Sequence, residues 1–191
     1  VFPIDPNNLD KTPEIKDEVA RAYSYINAYE NTLTGKITAV KAFDVFVKGI
    51  AVEQNELIVK LLSNQLSSIF WDFLTIKQQV VAQAELEQLL FNKLQTELPS
   101  NIKKTIFGLF ESIAYSKTGK EKLYQIWNKE IAIANLKLNE DDYINMAMDL
   151  AIYNHERSDE IVRKTRAVIS NLDKQKRFDF LLPSLSNDLA V

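Results

Sequence analysis

The chain has 191 residues, 46% hydrophobic and 26% charged, with a formal net charge of −3. That is a globular composition, large enough to bury a core without staples, and its mildly acidic balance supplies no general field for nucleic acid. With no cysteine and a single histidine, His155, the chain excludes disulfides, thiolate metal sites, cysteine nucleophiles and any zinc site of two or three histidines.

The opening Val1-Phe2-Pro3-Ile4-Asp5-Pro6 has neither a methionine nor a basic-then-apolar leader, so the chain reads as a piece excised from a longer parent. Residues 1–11 are expected as a linker and residues 12–191 as one helical domain. No run of 18 apolar residues exists, so no membrane span is expected. Pro13, Pro99 and Pro183 bound two long proline-free stretches, which permits nearly continuous helix.

Thr12-Pro13 offers a hydroxyl cap and a first-turn proline for a helix with Ile15, Val19, Ala22, Ile26, Tyr29 and Leu33 on its apolar face, closed by Gly35. Thr38 is expected to cap a helix holding Val40, Phe43, Phe46, Val47 and Ile50. From about Asn55 to Leu74, the spacing of Ile58, Leu61, Leu62, Leu66, Ile69 and Phe73 predicts another. Ile76, Val80, Leu86, Leu90 and Leu94 mark a fourth, and Ser100 a fifth with Ile102, Ile106, Phe110 and Ile113. Thr118 is expected to open a helix with Leu123, Ile126 and Trp127. Ile131–Leu138 alternates weakly and reads as an extended loop. Asn139 and Ser158 are expected caps of two further helices, and a last one carries Phe178, Leu181 and Leu182. The expected fold is all-α, with antiparallel helix pairs stacked as a HEAT- or armadillo-like superhelix; a compact bundle is the alternative.

The search for chemistry returns little. His155-Glu156 lacks the second histidine of H-E-x-x-H, so His155 is expected as an exposed loop residue. Glu140, Asp141 and Asp142 follow Asn139, where carboxylates suit a helix start. Trp71, with Phe70 and Phe73, is expected in the core. Arg163, Lys164, Arg166, Lys174, Lys176 and Arg177 form a basic stretch diluted by Asp159, Glu160, Asp173 and Asp179, which reads as an ordinary charged helix face.

Four segments, in order, resemble the C-terminal part of bacterial zinc aminopeptidases of the aminopeptidase N and leukotriene hydrolase family. They are Tyr29-Glu30-Asn31-Thr32-Leu33-Thr34-Gly35; Ser68-Ile69-Phe70-Trp71-Asp72-Phe73-Leu74; Ser112-Ile113-Ala114 with Gly119 and Leu123-Tyr124-Gln125-Ile126-Trp127; and Asn171–Ser186, read as N-x-D-K-x-x-R-F-x-F, an apolar pair and P-S-L-S. The resemblance spans roughly residues 12–188. It implies a non-catalytic helical domain that closes over the active site and restricts peptide access. Zinc and the catalytic residues would belong to an upstream domain of the same chain, in a bacterial cytoplasm or periplasm, with peptide as the parent's substrate and no nucleic acid or membrane as partner. No catalytic or metal residue carries over to this chain. Arg163, Lys164, Arg166, Lys174 and Arg177 are the candidates to face substrate. The alternative is a stand-alone helical-repeat interaction module.

Overall fold

A computed structural model describes residues 8–185 of the chain. The protein is all-α, with no strand among the described residues. Its contacts divide it into two compact units, Val1–Ile113 and Ala114–Val191.

The first unit opens with a 3-10 turn, Leu9–Glu14, followed by α1 (Glu18–Leu33), α2 (Ala39–Val52), α3 (Glu56–Ser68), α4 (Ile76–Leu94) and α5 (Ser100–Ile113). Within the expected linker, residues 9–11 thus already belong to a folded turn, and Leu9 is buried. Thr12-Pro13 lies inside this turn instead of starting α1. The cap of α1 is Asp17, whose Oδ1 accepts the Ala20 amide at 2.8 Å. Thr38 caps α2 as expected, Asn55 caps α3, and Thr75 forms a reciprocal capping box with Gln78 on α4. Gly35 follows α1 at φ +73°, a left-handed step open to glycine at no steric cost.

The expected apolar face of α1 is only partly buried. Val19 is 79% exposed and Ile26 and Leu33 are 44% and 46% exposed, whereas Ile15, Ala22 and Tyr29 are half-buried. The buried face instead carries Tyr25, Asn27, Ala28, Asn31 and Thr32. Two of its polar donors bond within the helix: Asn31 Nδ2 donates to the Asn27 carbonyl at 2.8 Å, and Thr32 Oγ1 to that of Ala28 at 2.9 Å. Tyr25 then meets Phe46 edge-to-face, with ring centroids 5.8 Å apart, over the bare backbone of Gly49.

Helix α3 packs against α2 and α5, and α4 against α5. Phe46, Leu62, Leu66, Phe70, Leu90, Leu94, Ile106 and Phe110 fill the space between them. Helix α3 runs into a π turn, Ile69–Phe73. Here the expectation for Trp71 fails. Neighbouring helical residues point about 100° apart, so with Phe70 buried Trp71 faces outward. It is 43% exposed and leans edge-on against Phe70 at 5.2 Å.

The corner between α2 and α3 is tied by buried charge. Arg21 grips Glu53 through two bonds of 2.7 and 3.1 Å. Glu53 also accepts the amides of Gln54 and Asn55. Burial opposes its charge, but the Arg21 bonds and those amides outweigh it and hold the carboxyl below the ordinary glutamate range. Lys93 of α4 reaches the same corner and donates to the carbonyls of Ala51 at 3.1 Å and Glu53 at 3.0 Å.

The second unit contains α6 (Lys117–Trp127), α7 (Glu140–Ile152), α8 (Ser158–Val168), α9 (Leu172–Leu181) and a closing 3-10 turn, Leu182–Leu185. Ser116, not Thr118, caps α6 by accepting the Gly119 amide. Residues 131–138 form the expected loop, with Asn135 at φ +63°. Asn139 forms a capping box with Asp142 on α7, which explains the carboxylates beside it. Ser158 is the first residue of α8 rather than its cap. Ile144, Ile169 and Phe178 pack together where α7 and α9 meet, with Met148 and Leu182 beside them.

Candidate functional site

Two of the family-like segments meet in space. Tyr29 on α1 and Ser68 at the end of α3 are hydrogen-bonded, with their oxygens 2.9 Å apart. The Ser68 hydroxyl lies 3.0 Å from Asp72 in the π turn. This chain places Trp71 and Phe73, which are 43% and 40% exposed, on the surface beside it. Ser68 and Asp72 stand at the i, i+4 spacing of one helix face, and the π turn Ile69–Phe73 begins between them.

The Asn171–Leu182 segment is equally legible. Asn171 Oδ1 accepts the amides of Asp173 and Lys174 and so starts α9. Phe178 is buried, whereas Phe180 is 83% exposed. A pocket of about 350 Å³ opens against α9, with Ile144, Met148, Phe178 and Leu181 as its apolar wall and Asp141, Lys174 and Arg177 at its rim.

The five basic candidates differ in how they are paired. Lys164 pairs with Glu160 at 2.6 Å along α8. Arg166 grips Asp179 of α9 through two bonds, of 2.5 and 2.8 Å. Lys174 bridges Glu140 at 3.0 Å and Asp141 at 2.6 Å. Of the five, only Lys174 and Arg177 line the pocket. Arg177 is exposed and has no ion-pair partner among the described residues. Arg163 is also exposed, on α8 near the Glu160 carboxylate.

His155 contradicts its expected exposure: it is 6% exposed. It sits in the tight α7–α8 turn, stacked on Tyr124 at 4.9 Å. Its Nδ1 accepts the Arg157 amide at 3.1 Å, and its Nε2 lies 3.7 Å from Glu121. Arg157 also donates to the Tyr124 hydroxyl at 2.8 Å. The amide bond requires a neutral ring at Nδ1. Burial lowers the imidazole pKa, and Glu121 only partly offsets it. Nearby on α7, Asp149 is pushed up to about 6 by burial. Sequence reading missed both groups, because a turn histidine and a mid-helix aspartate carry no local sign of what covers them.

Among the described residues no three His, Asp or Glu side chains converge as a metal centre would require. No helix there is long and apolar enough to cross a membrane. Comparison of the chain with protein-family models, with curated proteins and with solved structures finds no match.

Proposed function

We propose that the chain is the non-catalytic C-terminal domain of a bacterial zinc aminopeptidase of the aminopeptidase N and leukotriene hydrolase type. Its helix pairs stack as a superhelical wall that closes over the active site and limits which peptides enter. One observation carries this reading beyond the motifs alone. Two family-like segments, 39 residues apart, join at the Tyr29–Ser68 hydrogen bond. Parts of one motif set have a common structural reason when they build one feature.

Zinc belongs to the preceding domain on this reading. A catalytic zinc needs three protein ligands and an open position, and this chain has one histidine, buried and engaged at Nδ1, and no cysteine. What the chain supplies is surface. At the pocket rim Lys174 is held by Glu140 and Asp141, which leaves the exposed Arg177 guanidinium beside the apolar wall as the group suited to a peptide's carboxylate end.

The deciding experiment is to read the gene upstream of Val1 for H-E-x-x-H and a later glutamate, then to assay the whole polypeptide. Zinc at one equivalent and turnover of an amino-acid anilide are expected, with neither in the 191-residue chain. An upstream region without that motif refutes the proposal. A second reading, a stand-alone interaction module, is favoured by a different feature. An apolar groove of about 510 Å³ between α2 and α4 is lined by Phe43, Val47, Leu74, Val81 and Leu86. The same upstream reading separates the two.

A further inference from the structure

The groove of about 510 Å³ between α2 and α4 lies wholly on the first unit. Phe43, Val47, Leu74 and Leu86 form its apolar wall, and Val81 and Val40, 81% and 40% exposed, stand at its mouth. The two helices run in the same direction. Val40 lies beside Leu74 and Lys77 at one end, and Lys93 Nζ donates to the Ala51 carbonyl at 3.1 Å at the other. An apolar groove with a polar rim is the form of a contact site, and the charges on the rim say what it contacts.

Four charged side chains line the groove, and each helix carries one of each sign. On α4, Lys77 and Glu85 stand about one turn before and one turn after Val81. On α2, Asp44 precedes Lys48 by about one turn. Lys77, Glu85 and Asp44 have no hydrogen-bond or ion-pair partner among the described residues. Lys48 is 58% exposed and shares Asp10 with Lys41. Counting from Val40 beside Leu74 and Lys77, the midpoint of Asp44 and Lys48 reaches the level of Val81. A second copy turned end for end about Val81 therefore meets every sign with its opposite. Lys77 falls opposite Glu85 twice, and Asp44 opposite Lys48 twice. A copy laid in the same direction would set Lys77 on Lys77 and Glu85 on Glu85. A surface that complements itself under a two-fold axis is what an isologous interface requires.

We propose that the α2–α4 groove is a homodimer interface of this chain. A second copy packs its α4 antiparallel on α4, with the two Val81 side chains at the two-fold axis and Lys77 of each copy paired with Glu85 of the other. The facing grooves take Val40, Val47 and Val81 out of water, and the rim charges fix direction and register. The groove's lining falls short of the about 20–30 residues a side of a standard interface, so the dimer is weak and reversible. The proposal rests on neither functional reading above.

Sedimentation of the 191-residue chain at low ionic strength, over a range of concentration, tests this. The mean mass is expected to climb from one chain towards two between about 10 μM and 1 mM. Lys77→Glu places a carboxylate opposite Glu85, and Glu85→Lys places an ammonium opposite Lys77. Each change acts twice across the axis and should weaken self-association by about 10-fold or more. Both positions are exposed, so both variants keep the fold. An equimolar mixture of the two restores opposite signs at every pair and should dimerise as the parent does, which unfolded chains could not do. Val81→Cys, in a chain with no other cysteine, should form a disulfide-linked dimer under mild oxidation faster than Val19→Cys, which is 79% exposed on α1. A parent that stays monomeric up to about 1 mM overturns the proposal and leaves the groove to another occupant. A dimer that neither charge variant weakens overturns it too, because its contact then lies elsewhere. Variants that weaken but do not pair with each other, or equal cross-linking at the two cysteine positions, overturn the antiparallel register.

Discussion

Gly49 and Gly108 receive the same substitution with opposite expected signs. Both lie inside helices, where replacing glycine by alanine normally stabilises by about 0.5–1 kcal/mol. A Cβ at Gly108 meets nothing within 4 Å, so Gly108→Ala should realise that gain. A Cβ at Gly49 would fall against the Tyr25 hydroxyl, with the ring's Cζ at 2.8 Å and Cε1 at 3.1 Å. Tyr25 is fully buried against Phe46 and cannot swing away. Overpacking of this kind costs about 1–3 kcal/mol, so the net expectation for Gly49→Ala is a loss of about 1–2 kcal/mol. Among the described residues the Tyr25 hydroxyl has no hydrogen-bond partner, so Tyr25→Phe alone should be near neutral. In the Gly49→Ala background it should recover part of the loss by removing the first atom struck. Urea unfolding of the four variants, with the slope checked for constancy, measures all of these. A Gly49→Ala protein as stable as Gly108→Ala refutes the packing argument.

Two ionisable groups of the second unit should give opposite pH dependences. The folded pKa of His155 lies below 6.5, so its contribution is complete above pH 6.5 and is lost as pH falls towards the folded value. Urea midpoints between pH 7.5 and pH 5 should drop for the parent and less for His155→Gln, and an imidazole titrating above 6.5 by NMR contradicts the burial argument. Asp149 rises from 3.8 to about 6, so its contribution is present below pH 3.8 and is lost as pH climbs through 6. Asp149→Asn should therefore raise the melting midpoint at pH 7.5, with the gain fading towards pH 4; no gain at pH 7.5 would count against it. Trp71→Ala should cost about 1 kcal/mol rather than the 3–5 of a core tryptophan, by the same urea assay. Arg177→Glu should leave the melting midpoint within about 0.5 kcal/mol of the parent, and in a whole peptidase should raise KM for peptides more than for an anilide.

Helix existence was legible where a cap and an apolar run coincide, as at Thr38 and Asn139. It misled at α1. Periodicity finds an apolar stripe but not what faces it, and there Val19, Ile26 and Leu33 of the stripe face solvent while Asn27, Asn31 and Thr32 are buried. The π turn escaped because a single widened turn leaves no compositional mark, and with it went the orientation of Trp71. His155 looked exposed because turns usually are; Tyr124, 31 residues earlier, stacks over it, a contact no local pattern encodes. Of the five basic residues, Lys164, Arg166 and Lys174 each pair with a carboxylate, Glu160, Asp179 and Glu140 in turn, which the run of basic residues alone does not reveal.

The corner at Glu53 has a consequence for the order in which the chain can mature. Its ties come from Arg21, 32 residues earlier, and from Lys93, 40 residues later. Helix α2 can form alone, but its last carbonyls stay bare of their cation until α4 arrives. During synthesis the junction therefore remains unfinished until Lys93 has left the ribosome. Truncations ending before Lys93 should leave residues 51–55 open to protease even though α1, α2 and α3 are present, and those ending after α5 should close them.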